Sequence, residues 1–164
     1  GRGYIEKDWG QSFPAAWIWF QSNHFPTPDT CVTASVALIP WLGSAFRGFI
    51  VGLWREGKLY RFATYTGART EQLDMTDRHV TWVMRDRHHR LKLLAERAEG
   101  ALILGPTRIE MGKRVHETLR ATVHVRLTRG TQVLYEGLGR HAGLEAHGNL
   151  DRLLEASLSV RAGG

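Results

Sequence analysis

Glu6, Asp8 and Trp9 bring two acids and an indole together near the start of the chain, and Gly10 behind them permits a turn. From Trp17 onward the residues alternate. Trp17, Trp19, Gln21, Asn23 and Phe25 share one face of an extended chain, and Ile18, Phe20, Ser22 and His24 share the other, because successive strand side chains point to opposite sides. Gln21 and Asn23 are therefore either hydrogen-bonded core amides or the polar fittings of an enclosed pocket. The chemistry such a set offers is that of a carboxylic acid in dry surroundings, where burial penalises the anion, raises the pKa and keeps the proton on. Glu117 is in phase with Leu119, Ala121 and Val123, which predicts that it enters its strand on the buried side. There it is either such an acid or half of a structural ion pair with Arg114. Glu145, in the run from Ala142 to Gly148, carries the same two readings. Tyr60 and Tyr65 point to opposite faces of one strand, so one of them faces the interior. Most of the six tryptophans are expected in the core rather than as ligand walls.

The elements that position these groups read as short strands. After the opening strand, Pro26 and Pro28 mark a loop. Strands are predicted over 31–39, 49–54, 59–66, 79–85, 91–97, 101–104, 119–127, 131–138 and 142–147. Arg55-Glu56-Gly57-Lys58 reads as a hairpin turn. Only 149–158 has helical spacing, with Asn149 as N-cap and Leu150, Leu153, Leu154 and Leu158 on one stripe. The fold expected is all-β, one domain over 1–164: an antiparallel meander with a short C-terminal helix, closed into a barrel because closure removes exposed edges. A barrel of about this strand number holds one small hydrophobic ligand, and its lumen is expected to receive Trp17, Trp19, Gln21 and Asn23.

Other chemistries find little support. Net charge is +6, but Arg85, Arg90, Arg120 and Arg126 alternate with apolar residues as on a solvated outer sheet face. No recognition motif accompanies them, so nucleic acid is not an expected partner. Gly137 to Ala142 spells GxGxxA at a strand–strand junction, where no helix follows to make it a dinucleotide fingerprint. Gly112-Lys113 lacks the upstream glycine of a phosphate loop. The eight histidines show no HxH or HExxH spacing, and no metal is expected. A nucleophile elbow is missing too. Cys31 stands alone, which excludes an internal disulfide and fits a reducing compartment. No apolar run approaches the roughly 20 residues of a membrane span, and the start carries no signal-peptide pattern. The chain opens on Gly rather than Met, as a processed or partial chain would.

Several stretches resemble the tocopherol cyclase family. They are Gly3-Tyr-Ile-Glu-Lys-Asp-Trp-Gly-Gln-Ser-Phe-Pro14 with Trp17-x-Trp19-x-Gln21-x-Asn23-x-Phe25, then Ile39-Pro-Trp-Leu-Gly43, Phe62-Ala-Thr-Tyr-Thr-Gly67, Met111 with Arg114-Val-His-Glu117, and Ala142-Gly-Leu-Glu145. The first block is long and specific; the others follow in the family's order, and what they match is the family's C-terminal half. The resemblance implies a lipocalin-like barrel, shared with carotenoid hydratase-like proteins, and a missing N-terminal barrel as partner domain. It also implies a reaction. A prenylated hydroquinone closes to a chromanol when a side-chain alkene is protonated and the phenol oxygen captures the tertiary cation. An alkene is a very weak base, so the donor must be a carboxylic acid held protonated by a dry site.

On this reading Asp8, Glu6 or Glu117 gives the proton, Trp9 and Trp19 line the cation, and Gln21 and Asn23 orient the quinol oxygens. Trp17, Tyr65 and Glu145 complete the substrate-binding set, and no cofactor is needed. The expected partner is a lipophilic small molecule, and the expected location is the cytoplasm with peripheral membrane contact. The alternative is a non-catalytic, lipocalin-like module that only binds a hydrophobic ligand. An enzyme requires a carboxyl in the cavity that no arginine neutralises; a carrier does not.

Overall fold

The computed structural model describes residues 5–7, 14–106 and 111–156, with side chains in these ranges except over 102–116. Ten strands follow in order: β1 (Ala16–Ser22), β2 (Thr30–Trp41), β3 (Ser44–Arg55), β4 (Lys58–Ala63), β5 (Arg69–Met75), β6 (His79–Arg85), β7 (Arg90–Glu96), β8 (Ala101–Pro106), β9 (Met111–Arg129) and β10 (Gln132–Gly148). One helix, α1 (Leu150–Glu155), closes the described chain, and a 3-10 turn at Thr64–Thr66 separates β4 from β5. All pairings are antiparallel. The sheet runs β4-β3-β2-β1-β10-β9-β7-β6-β5, with β8 added alongside β9.

The sheet curls into the expected barrel-like, all-β form. Trp82 on β6 meets Phe20 of β1 at 6.3 Å and Phe49 of β3 at 5.7 Å between ring centroids, both edge to face. Such contacts between strands so distant in sheet order require the two halves to fold over each other. Alternate residues of β1, β2, β3, β6, β7 and β9 feed this interior, among them Ile18, Val36, Leu53, Met84, Leu93 and Val125. Among the described residues no ladder joins β4 to β5, so the hydrogen-bonded path is curled but open there.

Helix α1 is placed by both of its ends. Asn149 caps it as expected, its side chain accepting from the Arg152 amide at 3.0 Å. Leu153 is fully buried. Arg47 of β3 donates through Nη1 to the Leu154 carbonyl at 3.0 Å and the Leu153 carbonyl at 3.5 Å, satisfying acceptors that a helix end leaves open. The helix ends at Glu155, short of the predicted 158, and Leu158 lies outside the described residues.

Two bulges decide the site. Ala142 pairs with Ala121 and Leu144 with Thr118, so three residues of β9 span two of β10. The extra residue, in Leu119–Arg120, reverses the pleat: Thr118 is buried and Leu119 is 66% exposed. Glu117 therefore leaves the barrel rather than entering it, a correction to the phase predicted from Leu119, Ala121 and Val123. A second shift, between Gly139 and Ala142, throws Arg140 and His141 out of register with His141 at φ 48°. It joins the two strands expected over 131–138 and 142–147 into one. Strand β5 was not legible as a strand, because Arg69–Met75 is an edge with Leu73 as its one buried residue.

Candidate active site

Strand β1 turns the opposite way from the lumen expectation. Its buried face is Ala16, Ile18, Phe20 and Ser22, while Trp17, Trp19, Gln21 and Asn23 lie half-buried on the outer face. Both faces carry large apolar groups, so hydrophobicity alone does not choose between them. Polar atoms do. A buried indole N–H needs an acceptor, and the two indoles find carboxylates outside the barrel. Trp17 Nε1 donates to Glu145 Oε2 at 3.1 Å, and Trp19 Nε1 donates to Glu6 Oε2 at 3.2 Å. Thr33 Oγ1 of β2 also donates to Glu6 Oε2, at 3.4 Å.

The ladder register aligns the rest. Ser35, Trp19, Glu145 and Glu117 are successive partners across β2, β1, β10 and β9. One residue pair along, His147 lies opposite Trp17 with ring centroids 4.5 Å apart. Gly143 leaves room for the Trp19 ring, since a Cβ there would stand 2.9 Å from its Cζ3.

Burial pushes the Glu145 carboxyl above the usual range. The Trp17 hydrogen bond opposes this, the negative charges of Glu117 and Glu6 add to it, and His147 partly offsets them. Three carboxyls thus share one face with two indoles. Among the described residues no group of three His, Cys, Asp or Glu side chains is arranged to hold a metal ion.

Two clefts flank the cluster. One of about 50 Å³ beside Glu117 is lined also by Arg97, Gly100, Thr118 and Leu144. The other, about 360 Å³, lies near the far end of β1 between His24, Phe25, Pro26, Leu138, Arg140 and His141. It is lined by no carboxyl, so acid chemistry does not belong there.

The sequence profile described as tocopherol cyclase-like matches residues 2–148. The chain belongs to that family. It is 30% identical over 115 residues to "Tocopherol cyclase, chloroplastic" of Zea mays, covering 66% of this chain and 24% of that protein. It is 37% identical over 68 residues to "Probable tocopherol cyclase, chloroplastic" of Oryza sativa subsp. japonica, covering 39% of this chain and 14% of that one. The match thus spans about a quarter of the first relative's length and about a seventh of the second's. No solved structure matches the chain. No described helix of this family member is long and apolar enough to cross a membrane, which leaves membrane-spanning strands unaddressed.

Of the residues singled out from sequence, Glu6, Glu117, Glu145, Trp17 and Trp19 come together on the outer face. Gln21 and Asn23 lie further along β1; the Gln21 Nε2 is buried with no hydrogen-bond partner in the structure. Asp8 and Trp9 lie outside the described residues. Tyr65 stands 69% exposed on the 3-10 turn beyond edge strand β4, away from the cluster, while Tyr60 packs against the core. Thr33, Gly143 and His147 were missed, although Gly143, Glu145 and His147 share a face by simple alternation.

Proposed function

We propose that the outer-face cluster performs acid-catalysed cyclisation of a prenylated hydroquinone, with Glu145 as the proton donor. The observation that carries this is the Glu145 carboxyl, half-buried against the Trp17 indole, whose pKa is raised by burial and by two neighbouring acids. Its proton passes to the trisubstituted alkene carbon that leaves a tertiary cation. The phenol oxygen attacks the cation, the new C–O bond forms, and the phenol proton returns to the carboxylate. No atom is gained or lost, so the reaction is an isomerisation. The faces of Trp17 and Trp19 stabilise the cation, an effect of about 2 kcal/mol when water is excluded. Gln21, with an unpaired amide donor, orients a quinol oxygen.

The half-exposed cluster needs a cover to become dry. The relatives' greater length supports a further barrel, N-terminal to this one, as that cover. A carrier of the lipocalin kind would need room inside the barrel, and the Phe20, Phe49 and Trp82 contacts occupy its middle. A reducing, cytoplasmic setting at a lipid surface fits the lone Cys31 and the substrate class.

The test is Glu145→Gln in the full-length protein that carries this barrel, assayed for chromanol formation from a prenyl hydroquinone and for binding of the same compound. Loss of turnover by roughly 100-fold or more with binding kept is expected of a general acid. Undiminished turnover in that variant would remove Glu145 from the role, and binding without turnover in the wild type would favour a carrier.

A further inference from the structure

Two hairpins of this barrel share one turn geometry and differ in chemistry. Leu42–Gly43 closes β2–β3 with φ of 44° and 77°, and Glu56–Gly57 closes β3–β4 with φ of 48° and 79°. Such turns hold both central residues in the left-handed region, where Asn, Asp or Gly sit easily and a branched apolar side chain does not. The β3–β4 turn is flanked as a solvated turn should be, by Arg55 and Lys58 around Glu56. The β2–β3 turn instead presents Trp41 at 62% and Leu42 at 90% exposure. From Thr30 to Phe46 there is no charged residue, in a chain that is 23% charged.

The β2–β3 tip also projects. Its last rung with β1 is Trp17–Ala37, and its last with β4 is Ile50–Ala63. Among the described residues, the hairpin runs at least four residues past its last rung with either neighbour, roughly 13 Å at strand spacing. Along its outer face, Trp41, Ile39 and Ala37 lead down to Trp17. Ile39 and Phe46 pack over Gly48, where a Cβ would stand 2.8 Å from Ile39 Cγ1.

We propose that this tip is a lipid-surface anchor: Leu42 enters the acyl boundary, Trp41 sits at headgroup level, and the apolar outer stripe leads a lipid from the surface to the indoles. The anchoring stands on the hairpin alone, and the stripe's use rests on the prenyl quinol reading above. A bilayer suits what the tip offers. Tryptophan beside an aliphatic residue on an uncharged projection is the composition of an interfacial anchor. A protein partner would find far less area on one two-residue turn than the roughly 800 Å² per side of a stable interface.

Vesicle flotation tests it without any turnover assay. The probe is neutral phosphatidylcholine vesicles at high salt, which screens attraction due to the chain's net positive charge. Wild type is expected to float with them. Leu42→Asn keeps the turn, since Asn tolerates its backbone, so its melting temperature is expected to hold or rise while flotation falls roughly tenfold or more. Glu56→Asn, at the matched turn, is expected to float like wild type. A wild type that stays off neutral vesicles, or a folded Leu42→Asn that floats equally well, overturns the anchor. Turnover of detergent-dispersed quinol by Leu42→Asn then reports on the catalytic reading separately: its retention is expected, and its loss would contradict a role confined to docking.

Discussion

Glu117 and Glu145 stand directly opposite each other in the β9–β10 ladder, both on the outer face, and Trp19 pairs with Glu145 on its other side. Like charges in facing positions destabilise a sheet. Burial raises the pKa of half-buried Glu145, and the facing Glu117 and nearby Glu6 add to the effect, so this carboxyl gives up its proton less readily than a free one. The β9 bulge makes the pairing, because without its extra residue Glu117 would point into the core.

Glu117→Gln removes one of the charges that hold the Glu145 proton on. The Glu145 carboxyl then ionises at lower pH. If Glu145 is the acid, turnover falls as pH rises through its pKa, and in Glu117→Gln this falling limb moves to lower pH while the low-pH plateau stays near wild type. A pH–rate profile of both proteins checks this, and an unmoved limb would mean that Glu117 does not influence the donor.

Glu145→Gln also changes stability with a definite sign. A carboxyl whose folded pKa is raised binds its proton more tightly in the native state. Its stabilising contribution is therefore full below the ordinary glutamate range and is lost as pH rises through the raised value. The variant is expected to match wild type near pH 4 and to melt a few degrees higher, on the order of 2–4 °C, near pH 8. Thermal melts at both values measure it, and a larger gain at acid pH would reverse the assignment.

Gly143→Val tests the seat of Trp19. The new Cβ would stand 2.9 Å from the ring, so the indole must move and its bond to Glu6 loosen. A loss of about 1–3 kcal/mol is expected, as for other overpacked sites, with a change in tryptophan fluorescence. Gly52→Ala is the control. Its Cβ meets Leu59 and Thr33 at 3.4 and 3.7 Å, ordinary contacts, and it is expected to be neutral or slightly stabilising.

Arg47→Met tests how α1 is held. The substitution strips the Leu153 and Leu154 carbonyls of a charged donor while filling much of the same space. Part of the loss is offset, because burial already lowers the Arg47 pKa and its Nε has no partner. A net loss of about 1–3 kcal/mol is expected, read as faster amide exchange over 150–155 than in the barrel strands.

Alternation and turn chemistry sufficed to read most of the strands, though not β5, together with the hairpin at Arg55–Lys58 and the Asn149 cap. Each is a local preference that the fold does not contest. The same reading put the indoles inside and Glu117 with them, and both placements were reversed. Alternation sorts side chains into two faces without saying which is inward, and β1 carries Ile18 and Phe20 on one face and Trp17 and Trp19 on the other. The choice was made by partners far along the chain: Trp82 for Phe20, and Glu145 for Trp17. A bulge is subtler still. One additional residue in Leu119–Arg120 flips Thr118 inward and Glu117 outward, and it arises only when β9 is laid against β10. Residue order alone therefore settled the all-β architecture and the family, while the assembly of strands decided which wall of the barrel the acids and indoles share.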